Sequence, residues 1–133
     1  MFASRNFLFA RMAAAPAIIG GKLFTWGSNT FGQLGLGNTT ARSSPVQVGS
    51  LTDWAVVVLG NSCLSVKTDG TLWSWGFNSY GTLGIGDTTN RSSPVQIGAL
   101  TDWKTPAIGF ASSFCIKTDG TLWSWGNNLY GML

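Results

Sequence analysis

Proton transfer, metal binding and nucleophilic attack would fall in this chain to five aspartates and two cysteines, because it contains no histidine and no glutamate. Asp69 and Asp119 each sit in Lys-Thr-Asp-Gly, where a short acidic residue before glycine makes a hairpin turn. Asp53 and Asp102 sit in Thr-Asp-Trp ahead of a strand, where a carboxylate is expected to bond nearby backbone amides. Asp87 aligns with Asn38, so its charge is dispensable at that position. A base, a nucleophile and an orienting group do not converge. Asp87 with Asn90 offers too few hard oxygen ligands for a metal. Cys63 matches Ser113, and Cys115 matches Ser65. Their different phases suit two small buried residues better than a disulfide or ligand pair. The strings GQLGLG (32–37) and GTLGIG (81–86) lack the Lys-Ser/Thr of a phosphate loop, and no helical pattern follows them. Their glycines read as permits for tight turns. These residues lead us to expect no catalysis, cofactor or metal.

What positions these residues is a tandem repeat. KTDGTLWSWG at 67–76 returns unchanged at 117–126, and a looser GKLFTWG stands at 21–27. Residues 26–54 and 75–103 agree at 20 of 29 positions, at a spacing of 49. The next spacing is 50, with the extra residue between Trp103 and Lys117. Such self-similarity must be settled before any motif is read. Within a unit the strand signals are short. The run at 55–59 is apolar and β-branched, suiting a strand covered on both faces. Segments 63–68 and 71–75 flank Asp69-Gly70, a two-residue loop in which both residues should take positive φ. The Pro-Val-Gln segments at 45–48 and 94–97 read as edge strands with proline at the first position. About four strands per unit is the arithmetic of a propeller blade.

Composition agrees. The 133 residues include 18 glycines and seven tryptophans, with 44% apolar residues. Frequent turns with aromatic filling between them favour many short strands. The formal charge is +3, but only 10% of residues are charged and no three basic residues adjoin. A nucleic-acid surface needs clustered Lys and Arg, so such a partner is not expected. Residues 1–21 fit the repeat poorly. They read as a degenerate half-repeat, with Phe7-Leu8-Phe9 falling on Val56-Val57-Val58, or as a flexible segment. Their basic, acid-free character also suits a targeting segment broken at Pro16. The apolar stretch is shorter than the roughly 20 residues of a membrane span.

The pattern DG-x-L-x-x-WG-x-N-x-x-G-x-LG-x-G, followed by Pro-Val, resembles the regulator of chromosome condensation repeat. It is carried by Asp69, Gly70, Leu72, Trp75, Gly76, Asn78, Gly81, Leu83, Gly84, Gly86, Pro94 and Val95. It recurs from Trp26 through Gly37, and the resemblance covers 21–133. The resemblance implies a β-propeller, usually of seven blades, each a four-stranded antiparallel sheet. Two departures stand out. The family often carries histidine five residues before the position of Lys67, where this chain has Ser62 and Ser112. Full repeats number two, 22–70 and 71–120, with a partial third at 121–133. The expected fold is therefore all-β: a partial propeller of about two four-stranded antiparallel blades plus flanking strands. Such a chain is a piece of a longer product, or its copies associate to complete a ring.

Function is read from what varies between copies. The tryptophans recur, so packing between blades accounts for them better than a carbohydrate platform. The loop after Trp-Gly changes from copy to copy, as does the segment after Trp103. Loops on a rigid scaffold carry recognition. Phe77, Ser79, Thr82, Asn90, Asn127, Leu129 and Lys104 are the candidate partner-facing residues. The resulting expectation is a non-enzymatic protein-binding or structural module. Two alternatives stand beside it: a guanine-nucleotide exchange factor for a small GTPase, implied by the resemblance, and a surface or secreted carbohydrate-binding propeller.

Overall fold

The computed structural model describes residues 7–9 and 20–133. Their strands are β1 (Phe7–Phe9), β2 (Lys22–Gly27), β3 (Arg42–Gln47), β4 (Trp54–Leu59), β5 (Ser62–Lys67), β6 (Leu72–Gly76), β7 (Arg91–Gln96), β8 (Trp103–Ile108), β9 (Ser112–Lys117) and β10 (Leu122–Gly126). No described residue is helical. Three sheets result, ordered β1-β2-β3, β4-β5-β6-β7 and β8-β9-β10. The all-β expectation is met, and the full four-stranded antiparallel blade is β4 to β7. This sheet crosses the 70/71 division of the sequence units. A repeat is a period of sequence and a blade is a period of hydrogen bonding, and the two need not share a starting point.

The Asp-Gly hairpins form, with a different turn from the one expected. The Gly70 amide donates to the Lys67 carbonyl at 3.0 Å, and the Lys67 amide to the Thr71 carbonyl at 3.0 Å. Thr68 and Asp69 are thus the central residues, and Gly70 follows them at φ +79°. A turn followed by a left-handed glycine is the three-residue hairpin solution, which needs positive φ only at the glycine. Asp69 Oδ1 secures it by accepting from the Thr71 amide and hydroxyl, at 3.0 and 2.6 Å. Asp119 and Thr121 repeat this arrangement.

Pro45 and Pro94 lie inside β3 and β7, not at their starts. Ser74 pairs with Val95 and Gly76 with Arg91, so three residues of β7 oppose Trp75 alone. Proline is tolerated there because a bulge suspends the ladder. The same shift separates Thr25 from Gly27 in the pairing of β2 with β3. Beside β2, β1 runs parallel, with Leu8 opposite Leu23, whereas the strand equivalent in place, β5, runs antiparallel to β6. Val56 to Val58 belong to β4, so the pairing of Phe7–Phe9 does not reproduce that correspondence. The targeting-segment reading concerns residues outside those described.

The core lies between sheets. Leu23, Val48, Trp54, Val57, Cys63 and Trp75 pack between the first and second. Val66, Leu72, Trp103 and Cys115 pack between the second and third, with Ile97 and Trp125 against them. Trp54 meets Trp73 and Trp75 edge-on at 6.2 and 5.8 Å, and Trp103 meets Trp123 and Trp125 at 6.0 and 6.3 Å. Each trio stands on one sheet in the edge-to-face geometry that aromatic rings prefer, and Trp54 and Trp75 bury it against Leu23 and Val48 of the neighbouring sheet.

Candidate functional site

The loops after β2, β6 and β10 are fixed by one asparagine each. Buried Asn78 donates through Nδ2 to the Asp87 and Thr89 carbonyls at 2.9 and 3.1 Å, while its Oδ1 accepts from the Leu83 amide at 2.9 Å. Asn29 makes the same three bonds with Asn38, Thr40 and Leu34. In the third copy, Asn128 Oδ1 accepts from the Leu133 amide. A side chain satisfied at both ends by the backbone it bridges holds a loop in one shape. Ser62 serves the same loop. Its hydroxyl donates to the Phe77 carbonyl at 2.8 Å and lies 2.9 Å from Thr82 Oγ1.

On these frames the candidate residues separate into three groups. Ser79 and Asn90 are exposed, as is Leu129 at 77%. Phe77 and Asn127 are half-buried at the loop bases, where their amides donate to the Asn61 and Ala111 carbonyls. Phe77 also meets Phe31 at 5.0 Å and Tyr80 at 5.8 Å, so neighbouring loops touch through aromatic rings.

Thr82 departs from the expectation, being only 2% exposed. Its hydroxyl donates to the Phe77 carbonyl at 2.7 Å. Its carbonyl accepts from the Trp125 indole at 2.9 Å and the Ser113 hydroxyl at 2.7 Å. Gln33 offers its carbonyl to Trp75 and Cys63 in the same way. The bond between sheets at this position is made by the backbone carbonyl in both copies, whichever side chain stands there. Lys104 is exposed but lies near the start of β8, whose pairing there is with Lys117 at the hairpin end. The loop ends join at the other end of the sheet, where Gly126 pairs with Ser112. Four residues of strand, about 13 Å, separate the two levels. The structure does not bring Lys104 to the loop cluster.

Two lysines were not singled out by sequence. Lys67 is only 5% exposed, with Nζ 4.1 Å from the Trp73 ring centroid, 4.8 Å from that of Trp54 and 3.7 Å from Asp53 Oδ1. Lys117 repeats the cage with Trp123, Trp103 and Asp102. Asp53 and Asp102 therefore face a cation, where backbone amides were expected. The signal was legible in principle: lysine recurs six residues before Trp-x-Trp in both copies, each time with Asp-Trp upstream. Burial pushes the Cys63 thiol up to about 12 and that of Cys115 up to about 11, so both are protonated at neutral pH. Among the described residues, no three His, Cys, Asp or Glu gather as metal ligands. No described helix is long and apolar enough to cross a membrane.

The model of the regulator of chromosome condensation (RCC1) repeat matches residues 20–64 and 69–116. The chain belongs to the RCC1 repeat family. Among solved structures, human WBSCR16 is 25% identical with a TM-score of 0.70 over 80% of this chain. Prp20p from Saccharomyces cerevisiae, described with its binding properties to Gsp1p and histones, is 26% identical with a TM-score of 0.69 over 80%. Yeast RCC1 (Prp20) with Kap60 bound is 29% identical with a TM-score of 0.63 over 77%. The chain spans only 25% to 29% of the length of these structures. No curated protein matches it. The three sheets are thus RCC1-repeat propeller structure, and the asparagine-stapled loops are RCC1 loops whose tips vary from copy to copy.

Proposed function

We propose that this chain is a non-enzymatic protein-binding propeller module that takes its partner on the loops following β2, β6 and β10. The observation that carries this reading is the Phe31, Phe77 and Tyr80 cluster. It joins two variable loops through ring contacts while Tyr80 stays 49% exposed. An exposed aromatic on a rigid base, rimmed by Ser79 and Asn90, is the composition of an interface hot spot. Leu129 and Tyr130 extend the apolar surface on the third loop. Prp20p, whose structure resembles this chain, binds Gsp1p and histones, and a protein partner suits a surface of this kind.

The test is binding of the 133-residue chain to Gsp1p, histones and Kap60 by biolayer interferometry. Tyr80→Ala and Leu129→Asp are expected to weaken the interaction at least tenfold without changing the melting temperature. Binding that ignores both substitutions would place the partner elsewhere. The exchange-factor alternative predicts faster nucleotide release from a small GTPase such as a family-matched candidate, and a flat release trace removes it.

A further inference from the structure

The first and second sheets meet along a cleft of about 460 Å³. One wall is the loop at 35–38 with β3 and the residues after it; the other holds Trp54 of β4, Trp73 of β6 and Pro94 of β7. The Gly37 amide donates to the Ser92 carbonyl at 2.8 Å, so a backbone bond spans the two walls and holds the cleft open in one shape. Its lining is mostly apolar: Leu36, Val46, Val48 and Leu51 join the two tryptophans and the proline. That size and that lining are those of a small-molecule site. Both walls come from the interior of the chain.

One charge stands in this cleft. Arg42 lines it, and among the described residues its guanidinium bonds only through Nη1, to the Thr40 and Ala41 carbonyls at 3.4 Å each. Every aspartate of the chain is engaged elsewhere. Asp53 and Asp102 face the caged lysines, Asp69 and Asp119 secure their hairpins, and Asp87 pairs with Arg91. These five are all the acidic side chains there are. The second copy shows the same position neutralised: Asp87 stands four residues before Arg91 and accepts from its Nη2. In the first copy that place belongs to Asn38, which also lines the cleft and accepts the Thr40 amide at 3.0 Å. Two versions of one loop thus differ by a carboxylate, and the version without it sets its guanidinium beside an apolar cleft. A guanidinium fork without an internal counter-ion matches a carboxylate in shape and charge.

We propose that this cleft binds a small monocarboxylate with an apolar body. The carboxylate lies on Arg42, in the place that Asp87 takes beside Arg91, and the body lies against Trp54, Trp73 and Leu51. A single guanidinium balances a single negative charge, and no second basic residue lines the cleft to hold a phosphate dianion. None of Phe31, Phe77, Tyr80 and Leu129 lines it, so this reading and the partner surface fail separately.

The probe is 4-phenylbutyrate, titrated into the isotope-labelled 133-residue chain and followed by amide and indole NMR shifts. Saturable shifts at Leu36, Val48 and the Trp54 and Trp73 indoles are expected, with a Kd of about 1 mM or tighter for a ligand of this size. 4-Phenylbutanol, similar in shape but uncharged, should bind at least tenfold more weakly. Acetate, which lacks the apolar body, should cause no saturable shift. Arg42→Gln should weaken phenylbutyrate binding at least tenfold. Asn38→Asp should do the same, and because it copies the pair already present at Asp87 and Arg91 it leaves the fold intact. Tyr80→Ala and Leu129→Asp should leave the affinity unchanged. Equal affinity for the acid and the alcohol, indifference to both Arg42→Gln and Asn38→Asp, or no saturation by about 10 mM overturns the proposal.

Discussion

Residues 67–76 and 117–126 are the same ten amino acids in two surroundings. Both make the hairpin, the Asp-Thr turn bonds and the lysine cage. Their exposure differs: Leu72 and Trp75 are sealed under the third sheet and the first, while Leu122 and Trp123 stand open. Local hydrogen bonding is therefore a property of the segment, and burial is a property of its neighbour. In a stacked repeat the stability of a unit comes largely from that neighbour.

The comparison is broken most forcefully at the leucines. Leu72→Ala should cost about 2–5 kcal/mol, the range for a buried leucine, whereas Leu122→Ala should stay within about 0.5 kcal/mol, as exposed substitutions do. Urea denaturation of the two variants measures the gap, and equal costs would show that the third sheet does not shield Leu72. The hairpin glycines come next. Gly70 and Gly120 both have positive φ, but a Cβ at Gly70 would collide with the Thr101 carbonyl, while one at Gly120 meets nothing within 4 Å. Gly120→Ala should cost about 1 kcal/mol of backbone strain, and Gly70→Ala distinctly more, read as the difference in melting temperature.

The lysines sharpen the comparison from the other side. Each cage is complete within two adjoining strands and the Asp-Trp beside them, so Lys67→Met and Lys117→Met should cost the same, about 0.5–2 kcal/mol. A larger loss at Lys67 would mean that the neighbouring sheet contributes to the cage. The smallest effect lies in acid. Thr71 hydroxyl and amide bonds hold the Asp69 carboxyl below its ordinary value, and the Thr121 amide and hydroxyl do so for Asp119. A depressed carboxyl stabilises the fold above its unfolded pKa of about 4 and loses that contribution as pH falls through the lower folded value. Asp69→Asn and Asp119→Asn should each flatten the acid limb of a stability–pH curve below about pH 4, and to the same small extent.

The parts of the fold legible beforehand were those written in local pattern. The β-branched run of β4, the Asp-Gly hairpins and the recurrent tryptophans each have a signature within a few residues. Pro94 was misplaced because a bulge arises between two strands, and neither strand alone announces it. Among the candidate residues the sequence misled at Thr82, which is buried. The contact Thr82 makes with the next sheet runs through its carbonyl, so the residue type there can change while that contact stays and the position remains buried. Lys104 misled as well, as strand pairing reveals: it stands at the opposite end of its sheet from the loops.

By itself the sequence determined the period, the places of the hairpins and the family, because each is written in residues close in the chain. Tertiary structure alone decided which copy of an identical segment is core and which is surface. Burial is set by what lies across the sheet, and the same leucine cannot encode whether anything lies there.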